Sequence, residues 1–63
     1  MTTILPYSEK PQPGTWHTHD GQPVVICPEC ATANRVQVGR EGTAWVLCAN
    51  DFCTWRAWVR LGR

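Results

Sequence analysis

The chain of 63 residues has no apolar run long enough for a signal peptide or a membrane span, because Pro6, Glu9, Lys10, Pro11 and Pro13 interrupt its opening stretch. It is therefore expected to be soluble and to stay in a reducing, cytoplasmic compartment. No stretch repeats apolar residues every 3.6 positions over a useful length, so no helix is expected. Nor is there a long internal repeat. Lysine is nearly absent: Lys10 is the one basic residue that is not arginine. Bulk is scarce too, since a domain this small buries only about 60% of the surface its unfolded chain exposes. Such a core leaves little room for a catalytic cavity, which speaks against an enzyme. It also needs a staple.

The staple is visible in the cysteines. All four fall in two close pairs, Cys27-Pro28-Glu29-Cys30 and Cys48-Ala49-Asn50-Asp51-Phe52-Cys53, with seventeen residues between the pairs. Two short knuckles converging on one tetrahedral ion give this spacing, and four thiolates select a structural Zn²⁺. A structural zinc supplies roughly 10 kcal/mol or more of folding energy when the unfolded chain has no site. Two disulfides are the competing use of four cysteines, but they need an exported chain. Iron at the same thiolates, serving electron transfer, shares the ligand chemistry and is a remote alternative. His17 and His19, two apart on an extended segment, face the same way and are good ligands in principle. Four cysteines already close a structural site, so a solvated or surface-packed pair is the expectation for them.

Residues 1–15, with three prolines and few apolar groups, read as a flexible, proline-rich arm, and residues 16–63 as the folded domain. Met1, Ile4, Leu5 and Tyr7 are the arm's apolar exceptions, suited to clasping a sheet or to forming a short motif for a partner. Asp20-Gly21 signals a turn, after which Gln22 to Ile26 reads as a strand delivering Cys27. Asn34 to Val38 reads as a second strand, Gly39 to Gly42 as a turn, Thr43 to Leu47 as the returning strand, and Thr54 to Leu61 as a last strand with a period of two. The fold class expected is a small zinc-stabilised β domain with a three- to four-stranded antiparallel sheet. Counting directly out from Cys48 and Cys53 sets Trp45 opposite Arg56, while the Gly39–Gly42 turn sets Val36 opposite Trp45 and Val38 opposite Thr43.

Two knuckles joined through a hairpin resemble a zinc ribbon over about residues 22–61. The run from Cys27 to Arg35, with Ala31, Ala33 and Asn34 inside it, followed by the Cys48-x-Asn50-x-x-Cys53 knuckle, resembles the Ogr/Delta class of phage late-transcription activators. That resemblance implies a small DNA-binding activator that touches RNA polymerase and holds zinc through Cys27, Cys30, Cys48 and Cys53. The chain departs from the pattern in its leader of some twenty residues, in Val36-Gln37 after Arg35, and in a shorter interknuckle segment.

Charge and aromatics define a second chemistry. Residues 1–34 carry Lys10 against Glu9, Asp20 and Glu29, a net of −2, whereas residues 35–63 carry five arginines against Glu41 and Asp51, a net of +3. Three of the four tryptophans flank the second knuckle. One sheet face then holds Val36, Val38, Trp45, Leu47, Arg56, Trp58 and Arg60, and the other Arg35, Gln37, Ala44, Val46, Trp55, Ala57 and Val59. Without a helix to cover it, at least one tryptophan stays partly exposed. Arg35, Arg40, Trp45, Arg56, Trp58 and Arg60 are the candidate partner surface, with guanidinium groups for phosphates and indoles for stacked bases. The expected partner is nucleic acid, DNA more than RNA. The alternatives are a protein such as RNA polymerase, since tryptophan and arginine also anchor protein interfaces, or a Trp58 covered by the arm with arginines over its ring. No membrane and no small-molecule substrate is expected.

Overall fold

In the computed structural model, which describes residues 2–62, Asp20 and Gly21 both have positive φ, 52° and 77°. Two successive left-handed residues make the tight turn of a hairpin, and Asp-Gly suits that turn because neither residue pays heavily for it. The turn folds β2 (Trp16–His19) onto β3 (Gln22–Ile26), with Trp16 opposite Val25 and His19 opposite Gln22. β2 goes beyond the sequence expectation, which began the regular structure with the strand at Gln22 to Ile26. Its polar Trp-His-Thr-His content hides the alternation that a strand shows when one face is aliphatic.

Each knuckle acts as the bend of a further hairpin. At the first, the Cys27 amide donates to the Thr32 carbonyl at 3.0 Å and the Ala31 amide to the Cys27 carbonyl at 2.9 Å, so β3 returns as β4 (Ala33–Arg35). At the second, the Cys48 amide donates to the Trp55 carbonyl at 3.0 Å, and β5 (Thr43–Leu47) returns as β6 (Arg56–Leu61). β1 (Thr3–Leu5) adds to the far edge of β6 in parallel, Thr3 opposite Val59. The result is two three-stranded sheets, β2-β3-β4 and β1-β6-β5, with no helix among the described residues. This is the small all-β, helix-free architecture expected. Among the described residues, no helix is long and apolar enough to cross a membrane.

The pairings differ from expectation in two respects. β4 pairs with β3 and not with β5, so Val36 does not meet Trp45 and Val38 does not meet Thr43. β4 ends at Arg35 once Val36, buried in the core, turns inward with its amide on the Pro23 carbonyl at 3.2 Å, so no strand through Val38 is left to pair with β5. The β5–β6 register is also two residues off: Trp45 faces Trp58, and Leu47 faces Arg56. The knuckle bend runs past Cys53 to Trp55, which uses up two positions. A two-residue slip preserves side-chain facing. Trp45, Leu47, Arg56, Trp58 and Arg60 therefore still share one face, and Ala44, Val46, Ala57 and Val59 the other.

That second face is the core. Val25 and Trp16 from one sheet meet Val59, Val46, Ala44 and Leu5 from the other, with Val36 between them and Trp55, Ala57 and Leu61 packed at the margin. The proline-rich arm is the seam. Leu5, 4% exposed, sits in this core, and the Gly62 amide donates to its carbonyl at 2.9 Å. Pro6 and Ser8 bond to the Trp16 backbone, and Tyr7 meets the Trp16 ring edge-on at 5.0 Å. Trp16 Nε1 then reaches across to the Gly62 carbonyl at 2.7 Å. One strand thus touches both sheets. Of the two roles open to the arm's apolar residues, Leu5 and Tyr7 take the clasp; Met1 lies outside the described residues.

Candidate metal centre and partner surface

The two knuckles bring Cys27, Cys30, Cys48 and Cys53 to one place, with all four sulfurs within 4.8 Å of one another. The short contacts cross between knuckles: Cys27 Sγ lies 3.6 Å from Cys53 Sγ, and Cys30 Sγ 3.4 Å from Cys48 Sγ. A tetrahedral zinc with bonds of about 2.3 Å sets its sulfurs about 3.8 Å apart, so the cluster has the dimensions of that shell. A disulfide needs about 2.05 Å, and all four cysteines are free. The site fits one structural zinc held by four thiolates. Neither histidine belongs to the cluster.

Backbone amides prepare the sulfurs for negative charge. Cys30, Cys48 and Cys53 each interact with the amide two residues further on, from Thr32, Asn50 and Trp55. The Thr32 hydroxyl, 3.0 Å from Cys30 Sγ, is the main reason that thiol is lowered to about 6, with the Thr32 amide adding to it and desolvation opposing. At Cys53 the Trp55 amide pulls down, but desolvation and the three neighbouring thiols outweigh it and push it up to about 12. Cys48 also ends up raised: the Asn50 amide lowers it, and desolvation together with Cys30 overrides that. One thiol ionises readily and its neighbours then resist. Four negative sulfurs this close need a cation among them.

Asn34 and Thr32 are the residues of the site to which sequence reasoning gave no role. Asn34, 4% exposed, donates through Nδ2 to the Thr32 carbonyl at 3.0 Å and accepts the Ala49 amide on Oδ1 at 2.7 Å. One buried amide side chain ties the first knuckle to the second. The signal available was a polar residue at an alternating position just past a knuckle, which is indistinguishable from a solvent-facing strand residue. Within the second knuckle, Asn50 Oδ1 accepts the Phe52 amide at 3.0 Å, an Asx turn that shapes the longer insertion. Ala31, directly after Cys30, has φ of 60°, a left-handed conformation that costs alanine more than glycine, asparagine or aspartate.

The candidate surface residues divide. Trp45, Arg56, Trp58 and Arg60 come together on the outer face of β1-β6-β5, where Trp45 and Trp58 are cross-strand partners with ring centroids 5.5 Å apart. They remain 45% and 53% exposed, so the arm does not cover Trp58; it docks at the edge of β6. Leu47 and Ile4 lie on the same face and are also exposed. Arg35 is on the other sheet, and Arg40 is in the turn before β5.

No protein-family model, no curated protein and no solved structure matches this chain, so the likeness of its knuckles to the phage activators rests on the residues quoted above. The geometry establishes a small β domain with a four-cysteine site suited to a single structural zinc.

Proposed function

We propose that this domain is a non-enzymatic binding module that engages nucleic acid, DNA in preference to RNA, through the outer face of β1-β6-β5. The observation that carries the reading is the exposed Trp45–Trp58 pair, with Arg56 and Arg60 on either side of Trp58 along β6. Stacking an unpaired base on an indole is worth about 1–3 kcal/mol, and two guanidinium groups at its flanks are placed to meet the adjoining phosphates. The zinc has no share in the chemistry, because four protein ligands leave it no open position. A role in transcription with RNA polymerase as a further contact is the finer form of this proposal and comes from the knuckle resemblance; a cytoplasmic location comes from the thiol usage and the broken apolar runs of the opening stretch.

Tryptophan fluorescence of the zinc-loaded chain, titrated with single- and double-stranded DNA and with RNA at two salt concentrations, tests it. Trp58→Ala is expected to weaken binding about 5- to 150-fold, the equivalent of one stacked base. No binding to any of these at low salt ends the reading, because phosphate contacts show there first. A second reading, docking on a protein, is favoured by Leu47 and Ile4, aliphatic side chains 60% and 66% exposed on the same face. Capture from lysate with wild type and Trp58→Ala separates the two: a protein lost with Trp58 and no oligonucleotide affinity supports the second.

A further inference from the structure

The opposite sheet holds a separate site. His17, Val24 and Arg35 are direct cross-strand neighbours on β2, β3 and β4, so the three side chains form one row across the outer face of β2-β3-β4. His19 lies two residues along on the same face. These four, with Ala33, line a cleft of about 300 Å³ whose floor is the buried Val24. We infer that this cleft binds a phosphate group, held between the Arg35 guanidinium and the two imidazoles.

The donors are available. Among the described residues no carboxylate lies within ion-pair distance of Arg35. Asp20, on the turn and 85% exposed, holds a carboxylate 3.5 Å from His19 Nε2. His17 Nδ1 is sealed from solvent and has no hydrogen-bond partner. A sealed lone pair is tolerated better than a sealed N–H, so the proton of the neutral ring sits on Nε2, which makes Nε2–H the ring's donor. A guanidinium fork and two imidazole donors over an apolar floor address more than the two oxygens of a carboxylate, which favours a tetrahedral oxyanion. Arg35 also borders a larger groove of about 510 Å³ that contains Gln22 and Gln37, leaving room and amide partners for whatever the phosphate is esterified to.

The test is an NMR titration of the zinc-loaded chain with inorganic phosphate at constant ionic strength, following backbone amides and histidine rings. Saturating shifts confined to β2, β3, β4 and the rings of His17 and His19 are expected. Arg35→Gln should weaken the affinity about tenfold, and Arg35→Lys less. Lys10→Gln, which removes the same charge from the arm, should leave it unchanged. Linear, unsaturating shifts, or an equal loss in Arg35→Gln and Lys10→Gln, overturn the site and reduce it to diffuse charge. Folding of each variant is read from the same spectra. A single-stranded oligonucleotide that displaces phosphate at these resonances identifies a polynucleotide backbone as the source, and one that does not identifies free phosphate or a small ester. Because the row lies on the sheet opposite Trp58, loss of oligonucleotide binding in Trp58→Ala leaves phosphate binding here intact.

Discussion

Replacing Asn34 with alanine removes the buried side chain that joins the knuckles, and its cost follows from the two bonds it makes. The Thr32 carbonyl is not orphaned, because the Cys27 amide already donates to it at 3.0 Å. Losing the Nδ2 bond at 3.0 Å therefore costs only the net worth of one hydrogen bond, about 1 kcal/mol. The Ala49 amide is different, since Oδ1 at 2.7 Å is its partner, and leaving it half-sealed adds about 1–2 kcal/mol. The sum is about 2–3 kcal/mol. In a domain whose folding and metal binding are one equilibrium, it appears as a 30- to 150-fold weaker zinc affinity. Competition against a chromophoric chelator measures this directly. Asn34→Asp keeps the acceptor for Ala49 but turns a carboxylate oxygen toward the Thr32 carbonyl, so it should also lose affinity. A change below about threefold in Asn34→Ala would refute the claim that this side chain couples the knuckles.

Three other outcomes can be checked with the same preparation. Ala31→Gly relieves the left-handed strain at φ 60° and should tighten zinc binding by up to about fivefold, equivalent to about 1 kcal/mol. Leu5→Ala opens the core at the seam and should cost about 2 kcal/mol or more, lowering the melting temperature in excess zinc by about 10 °C; exposed Ile4→Ala should be nearly neutral. For pH the sign follows from the thiols: Cys48 and Cys53 are raised, to about 12 for Cys53, so both hold protons near neutrality that zinc must expel. Affinity should therefore fall as pH falls, at least about 100-fold per unit from these two protons, and more steeply below about 6 where Cys30 also takes one up. A dissociation constant that does not vary between pH 6.5 and 7.5 would contradict that release.

The ligands were legible from spacing alone because thiolates at those intervals have few other uses in a reducing compartment. Face assignment was legible as well: the alternation through Trp55, Ala57, Val59 and Leu61 survives any even slip, so the exposure of Trp58 did not depend on the register. The register itself was not legible. It depends on where the chain finishes turning after Cys53, and hydrogen bonding at Trp55 decides that without leaving a trace in residue type. β1 and β2 escaped notice for the opposite reason to the knuckles. In Thr3 to Leu5 only Leu5 is buried, against Val59 and Trp16 far away in sequence, and a three-residue strand carries no periodicity to detect. Asn34 shows the same limit within the site, because its partner amide at Ala49 lies beyond the intervening turn.

The parallel pairing of Thr3 with Val59 sets the order in which this molecule can be completed. The hairpin of β2 and β3 and the first knuckle are local and can form on a growing chain. The contacts that join the two sheets are not: half the zinc ligands wait for the second knuckle, and the Leu5 seam and the Trp16 bond to Gly62 wait for β6 and the residue after it. Non-local closure of this kind is slow for the size of the domain. Until Cys48 and Cys53 have been added during synthesis, the first knuckle offers a metal only two sulfurs, so the four-thiolate site is completed with the second knuckle, immediately before β6 closes onto β1.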